Sequence, residues 1–273
     1  MKKKVRLLVA GLLAAVFLCG LWLIGQQLWQ YGQAQQSRDK AQQIAFGGGE
    51  TPTTVPQTRP AGETIPPATE EAVETPAIPL DASARFLQQV DVYSLRQINP
   101  EVLGWIYLPD TAISYPLMQT TERDKYLQYS WDGTPNNSGS IFLEKSNHRD
   151  FTDFNTIIYG HHITNGTMFQ PLMNYKDPVF LDSHPYVYIA SADQIYRYRI
   201  FSAYEAPVDS DTYRLYFADD AAKLAAIEHY LQGNADSSLS VEDRFLTLST
   251  CTGTGVYSIR WVVQGVLDAQ WQK

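Results

Sequence analysis

The chain has 273 residues, 44% of them hydrophobic and 18% charged, with 29 acidic residues against 21 basic. Once Lys2, Lys3, Lys4 and Arg6 are set aside, 17 basic residues face the same 29 acidic ones. This balance argues against nucleic acid or anionic lipid as the main partner.

The four basic residues precede 18 uncharged, mostly apolar residues, Leu7 to Ile24. As a helix they span about 27 Å, close to a hydrocarbon core of about 30 Å. The expectation is a single transmembrane anchor over residues 1–25. By the positive-inside rule its N-terminus is cytoplasmic and the rest of the chain lies outside, with Trp22, Trp29 and Tyr31 near the outer interface. Around Leu23-Ile24-Gly25 no small-x-small cleavage site stands out. Leu18, ahead of Cys19, is too large for lipoprotein processing.

Residues 26–79 are expected to link the anchor to the folded part. They begin Gln-rich, able to continue the helix up to Gly47-Gly48-Gly49, and turn Pro-, Thr- and Glu-rich from Thr51 to Pro79. The second half has almost no large apolar side chain and reads as an extended spacer.

The folded domain is placed at residues 80–273, long enough for one substantial core. Asp81 or Ser83 can cap a helix carrying Phe86, Val90 and Tyr93, ending at Asn99-Pro100. Strands are predicted near 104–108, 112–118, 139–144, 155–161, 186–190, 194–204, 245–250 and 257–267, with a short helix around 167–175. Between the strands near 194–204 and 245–250 Leu224, Ile227 and Leu231 mark a helical insertion that Asp219 or Asp220 can cap and Gly233 can end. Many strands with few helices imply a mainly β fold, a closed barrel of about eight strands without exposed edges.

The most informative segment is Thr247-Leu-Ser-Thr-Cys251, with Arg260 nine positions on. Leu246 and Leu248 share one strand face, and Thr247, Ser249 and Cys251 the other. On the following strand Ile259, Trp261 and Val263 share a face, so Arg260 points the opposite way. If the two strands pair through the Gly253 and Gly255 connection, thiol and guanidinium line one groove. Cys19 lies in the membrane run, so Cys251 has no disulfide partner. A nucleophilic cysteine also needs a proton-transfer partner and a group to stabilise the oxyanion.

Among the five histidines, His161 ends an apolar strand after Gly160, a rim position, and His162 adjoins it; spacing does not choose between them. His148, His184 and His229 suit surface roles. Adjacent strand residues point to opposite sides and there is no HExxH or paired cysteine, so no metal site is expected.

Five blocks in chain order carry a resemblance. They are Asn99-Pro-Glu-Val-Leu-Gly-Trp-Ile106; Tyr115-Pro-Leu-Met118; Gly139-Ser-Ile-Phe142; Tyr159-Gly-His161 with Gly166-Thr-Met-Phe169; and Thr247-Leu-Ser-Thr-Cys251 with Arg260. Together they resemble the class B sortases over nearly the whole folded region, and the helix before the cysteine strand is similar to the long insertion of that class.

The resemblance implies a sortase-type barrel, Cys251 as nucleophile, His161 as general acid/base because it directly follows Tyr159-Gly160, and Arg260 as stabiliser of the carbonyl oxygen. Ser249 has either a substrate-contact or orienting role or that of a solvent-facing strand hydroxyl. The implied reaction is cleavage of an NPxTx-like sorting signal after Thr and acyl transfer to an amine of a peptidoglycan precursor or crossbridge, without a cofactor. This would anchor surface proteins to the wall of a Gram-positive bacterium. Pilin polymerisation, simple thioester hydrolysis and a non-catalytic wall-binding module are the competing readings.

Overall fold

In a computed structural model the described residues are 2–47, 78–233, 236, 238–253 and 258–273. Most of the expected spacer, and the centre of the connection after Gly253, lie outside them. Helix α1 runs Lys2–Ala45, and its stretch from Gly11 is long and apolar enough to cross a membrane by length and composition.

The Gln-rich segment continues α1, and the end of the helix is packed on the rest of the fold. Ala41 and Ala45 are fully buried, Trp131 Nε1 donates to the Ser37 carbonyl at 2.9 Å, and Lys40 meets Asp132 at 2.9 Å. Gly47, at φ +64°, follows in the left-handed region where a glycine is favoured.

The single helix expected between Asp81 and Asn99 is two: α2, Ala82–Leu87, and α3, Val92–Ile98. The break combines a local cap with a distant partner. Asp91 caps the second helix, accepting from the Ser94 N–H at 2.9 Å, while its own N–H goes to the Ala45 carbonyl at 2.8 Å. Tyr93 consequently faces solvent, and the helices bury Ala84, Leu87, Val92 and Leu95 instead.

Among the described residues eight strands follow: β1 (Val102–Tyr107), β2 (Ser114–Met118), β3 (Ile141–Leu143), β4 (Asn155–Tyr159), β5 (Tyr186–Ala190), β6 (Gln194–Pro207), β7 (Phe245–Cys251) and β8 (Ile259–Gln272). They close into a barrel in the order β1-β2-β3-β4-β7-β8-β6-β5. Closure leaves no open edge. The expected alternation holds in β6, where Tyr196, Tyr198 and Ile200 enter the barrel interior with Leu246, Leu248 and Val263. Arg197, on the outer face, bonds Asp81 at 2.8 Å.

Around the barrel, α1–α3 cover one outer face over Trp105 and Tyr188. Where one short helix was expected near 167–175 there are a 3₁₀ helix, Gln170–Lys176, and α4, Pro178–Ser183. The insertion helix α5, Asp220–Leu231, is capped by Asp219 and terminated by Gln232 and Gly233, both at positive φ. Its buried stripe is Ala226, Ile227 and Tyr230, packed on Phe245 and Val266 of β7 and β8. Leu224, expected in that stripe, is exposed. Because α5 and its flanking turns cover this side, both faces of β7 are buried.

Candidate active site

Strand pairing brings the three expected groups together. β4 and β7 run parallel with a constant offset, from Asn155 opposite Phe245 to Tyr159 opposite Ser249. The Gly160 N–H continues the ladder to the Ser249 carbonyl at 3.2 Å. Two residues beyond the last pair, His161 follows β4 at the level of Cys251. On the other side β7 pairs antiparallel with β8, and Cys251 is directly opposite Arg260. Cross-strand partners share a face. The thiol thus stands between an imidazole and a guanidinium at the ends of neighbouring strands.

The three side chains line one cleft of about 790 Å³, together with Tyr159, Tyr213, Ser249, Thr250 and Glu144. Cys251 is partly exposed, as a reacting thiol must be.

His161 is held from both sides. Its Nε2 lies 2.8 Å from the Leu127 carbonyl, and its own carbonyl accepts from the Phe169 N–H at 2.9 Å. A carbonyl oxygen only accepts, so Nε2 carries the proton and Nδ1 is the nitrogen left for exchange.

The remaining histidines are engaged elsewhere. His162 pairs with Met168 and faces a different cleft beside α1, with Tyr31 and Thr164. His148 bonds Asp153, and His184 stacks on Phe180 with ring centroids 3.9 Å apart. His229, expected at the surface, is half-buried, with Nε2 2.8 Å from Thr212 Oγ1.

A family profile described as the sortase domain matches residues 106–268. The chain is 35% identical to sortase B of Listeria monocytogenes over 185 residues, covering 65% of this chain and 74% of that protein. Among solved structures, a Staphylococcus aureus sortase B–substrate complex superposes with a TM-score of 0.61 at 29% identity, covering 67% of this chain and 86% of that one. A Bacillus anthracis sortase B structure gives 0.66 at 26% identity, covering 89% and 99%.

The chain belongs to the sortase family. Its relatives make it a cysteine transpeptidase of the sortase B type, and the motifs of this sortase have physical reasons visible in the structure. Gly160 lies against the Phe169 ring, where a Cβ would come within 2.7 Å of ring carbons. Gly139, at φ +61°, leaves room for the Tyr126 carbonyl and for His161 Cδ2, each of which a Cβ would crowd at 2.4 and 3.0 Å. The two glycines seat the loop that presents His161.

Ser249 is not a solvent-facing hydroxyl in this sortase. It is 1% exposed and its Oγ lies 2.9 Å from the hydroxyl of Tyr213, in the connection between β6 and α5. The sequence alternation shows its face, but what covers that face arrives from a distant segment. The Tyr213 ring stacks on Tyr159, centroids 6.5 Å apart and planes 12° apart. Burial pushes the Tyr213 hydroxyl up to about 12 against the opposing pull of the Ser249 hydrogen bond and Arg260. Burial and then Glu144 push Tyr159 up as well. Both phenols stay neutral and able to donate in the ordinary pH range.

Proposed function

We propose that Cys251 is the nucleophile, His161 the general acid/base and Arg260 the stabiliser of developing negative charge in a transpeptidation that joins a sorting-signal peptide to a cell-wall amine. The observation that carries this reading is the register, which sets Cys251 opposite Arg260 on one side and level with His161 on the other.

The Cys251 thiolate attacks the carbonyl carbon of the Thr residue in an NPxTx-like signal, and the carbonyl electrons move to oxygen. Arg260 suits that oxyanion because its planar fork donates hydrogen bonds without titrating. Collapse breaks the C–N bond as protonated His161 gives its Nδ1 proton to the leaving amine, which leaves a thioester and neutral imidazole. An amine of a peptidoglycan precursor or crossbridge then attacks the thioester carbon. His161 takes its proton, the C–S bond breaks, and the thiolate returns with a new amide formed.

Ser249 orients the site through Tyr213 or contacts the peptide directly. In the same reading residues 1–25 anchor the enzyme with its N-terminus in the cytoplasm, residues 26–79 link the anchor to the catalytic domain, and residues 80–273 act outside the membrane on the wall side. The attached clients are surface proteins.

The test is incubation of the protein with NPxTx-type peptides, with and without wall-derived amines, followed by mass spectrometry. Acylation at Cys251, an amine adduct in preference to free acid, and loss of both in Cys251→Ala are expected. Acylation at another residue, or turnover retained in Cys251→Ala, would overturn the assignment.

A further inference from the structure

Tyr213, on the wall of the cleft, belongs to no strand. It lies in a three-residue 3₁₀ turn, Asp211–Tyr213, within the connection from β6 to α5. Such a turn has little intrinsic rigidity, yet Tyr213 meets both Ser249 and Tyr159 with defined geometry. Buried side chains behind it supply the constraint.

Asn155, at the start of β4 and 0% exposed, donates through Nδ2 to the carbonyls of Thr212 at 3.0 Å and Arg214 at 3.1 Å. These flank Tyr213 on either side. The Asn155 Oδ1 accepts from Thr247 Oγ1 at 2.7 Å, so both amide hydrogens and the amide oxygen are engaged and the side chain cannot turn over without losing bonds.

Thr212, also 0% exposed, is tied a second way. Gln264 Nε2 donates to the Tyr204 hydroxyl at 3.2 Å, which is 3.1 Å from Thr212 Oγ1, which is 2.8 Å from His229 Nε2. The chain of hydrogen bonds thus links Gln264 on β8 through Tyr204 and Thr212 to His229 on α5. Apolar packing would bury the same turn but is non-directional. A buried polar network is directional and fixes where the carbonyls point.

We infer that Asn155, Thr212 and His229 are positioning residues for the peptide-binding wall, acting through Tyr213. They touch neither substrate nor thiol; they set the height and tilt of the Tyr213 ring and thereby the fit of the sorting peptide. This rests on the reading of the cleft as the peptide site.

The test compares Thr212→Val, which keeps shape and removes the hydroxyl, with Thr212→Ser, which keeps the hydroxyl. Three readouts are taken: KM and kcat for a sorting peptide, and the rate at which iodoacetamide alkylates Cys251. Thr212→Val should raise KM roughly tenfold with kcat within about twofold, and Thr212→Ser should restore it. Alkylation should be unchanged in both.

Asn155→Ala should behave like Thr212→Val, and His229→Gln, at the half-exposed end of the chain, carries the same test if the buried variants do not fold. Wild-type KM in every folded variant would overturn the inference, as would a rise in KM that always comes with slowed alkylation, the mark of a general disturbance. Turnover retained in Cys251→Ala would instead refute the underlying reading of the cleft, whatever Thr212→Val does.

Discussion

Gly160 and Phe169 are in face-to-backbone contact: the ring occupies the space where any side chain at 160 would begin, with 2.7 Å between a Cβ and the nearest ring carbons. Gly160→Ala must displace the ring or the strand end, and overpacking of this kind costs about 1–3 kcal/mol. Because the Phe169 N–H is bonded to the His161 carbonyl, the displacement is expected to reach the imidazole. Thermal unfolding should show a lowered Tm and peptide cleavage a lowered kcat. A variant with wild-type Tm and wild-type kcat would show that the contact carries no constraint.

Arg260 faces Cys251 across the β7–β8 ladder, and its proposed task needs a charged, planar donor. Arg260→Ala should lower kcat/KM for the sorting peptide by roughly 10²-fold, the scale of a lost oxyanion donor. Arg260→Lys, which keeps the charge but not the fork, should recover only part of that loss. Full activity in the lysine variant would mean that charge alone suffices, and full activity in the alanine variant would remove Arg260 from the chemistry.

Burial pushes the phenols of Tyr107 and Tyr213 up to about 12, whereas an unfolded tyrosine ionises near about 10. The raised folded values favour the folded state fully below about pH 10, and that contribution is lost as pH rises from about 10 through about 12. Urea midpoints measured between pH 9 and 11 should therefore fall with rising pH, less steeply in Tyr213→Phe than in the wild type. A flat profile would contradict the burial of these hydroxyls.

Ala45 is fully buried where α1 meets the barrel side. Ala45→Glu would bury an unpaired carboxylate or push the helix end away, and the second outcome costs less. Limited proteolysis should then cut near the end of α1 faster than in the wild type, while the barrel stays resistant. Equal cleavage rates would show that this contact does not hold the helix.

Much of the barrel was legible because its signals are local. Alternation in β6 and the apolar runs of β4 and β7 appear in a few consecutive residues, and the parity that separates Leu248 from Ser249 is a property of any strand. The same parity correctly set Cys251 and Arg260 on one face once the two strands paired. Three features were not legible. The break between α2 and α3 depends on the Ala45 carbonyl, which lies 46 residues before the Asp91 N–H it accepts. The stripe of α5 uses Ala226 and Tyr230, which an apolar periodicity led by Leu224 passes over. His229 reads as a surface group, and Ser249 stays open between a site role and a solvent-facing hydroxyl, until Tyr213 and Thr212 arrive, since burial by a distant loop leaves no periodic trace. His161 could not be told from His162 by spacing; the strand offset that separates them exists only after folding.

The parallel pairing of β4 with β7 also governs when the enzyme comes into being. Its two strands are neighbours in space but lie 90 residues apart in the chain, and the guanidinium sits on the C-terminal strand. A nascent chain that has emerged only as far as His161 does not yet contain Cys251, and Cys251 gains Arg260 opposite it only after β8 pairs with β7. On the roles proposed above, competence therefore waits for the C-terminal strand: a chain that stops short of β8 lacks Arg260, and an unfolded copy carries Cys251 with neither partner beside it.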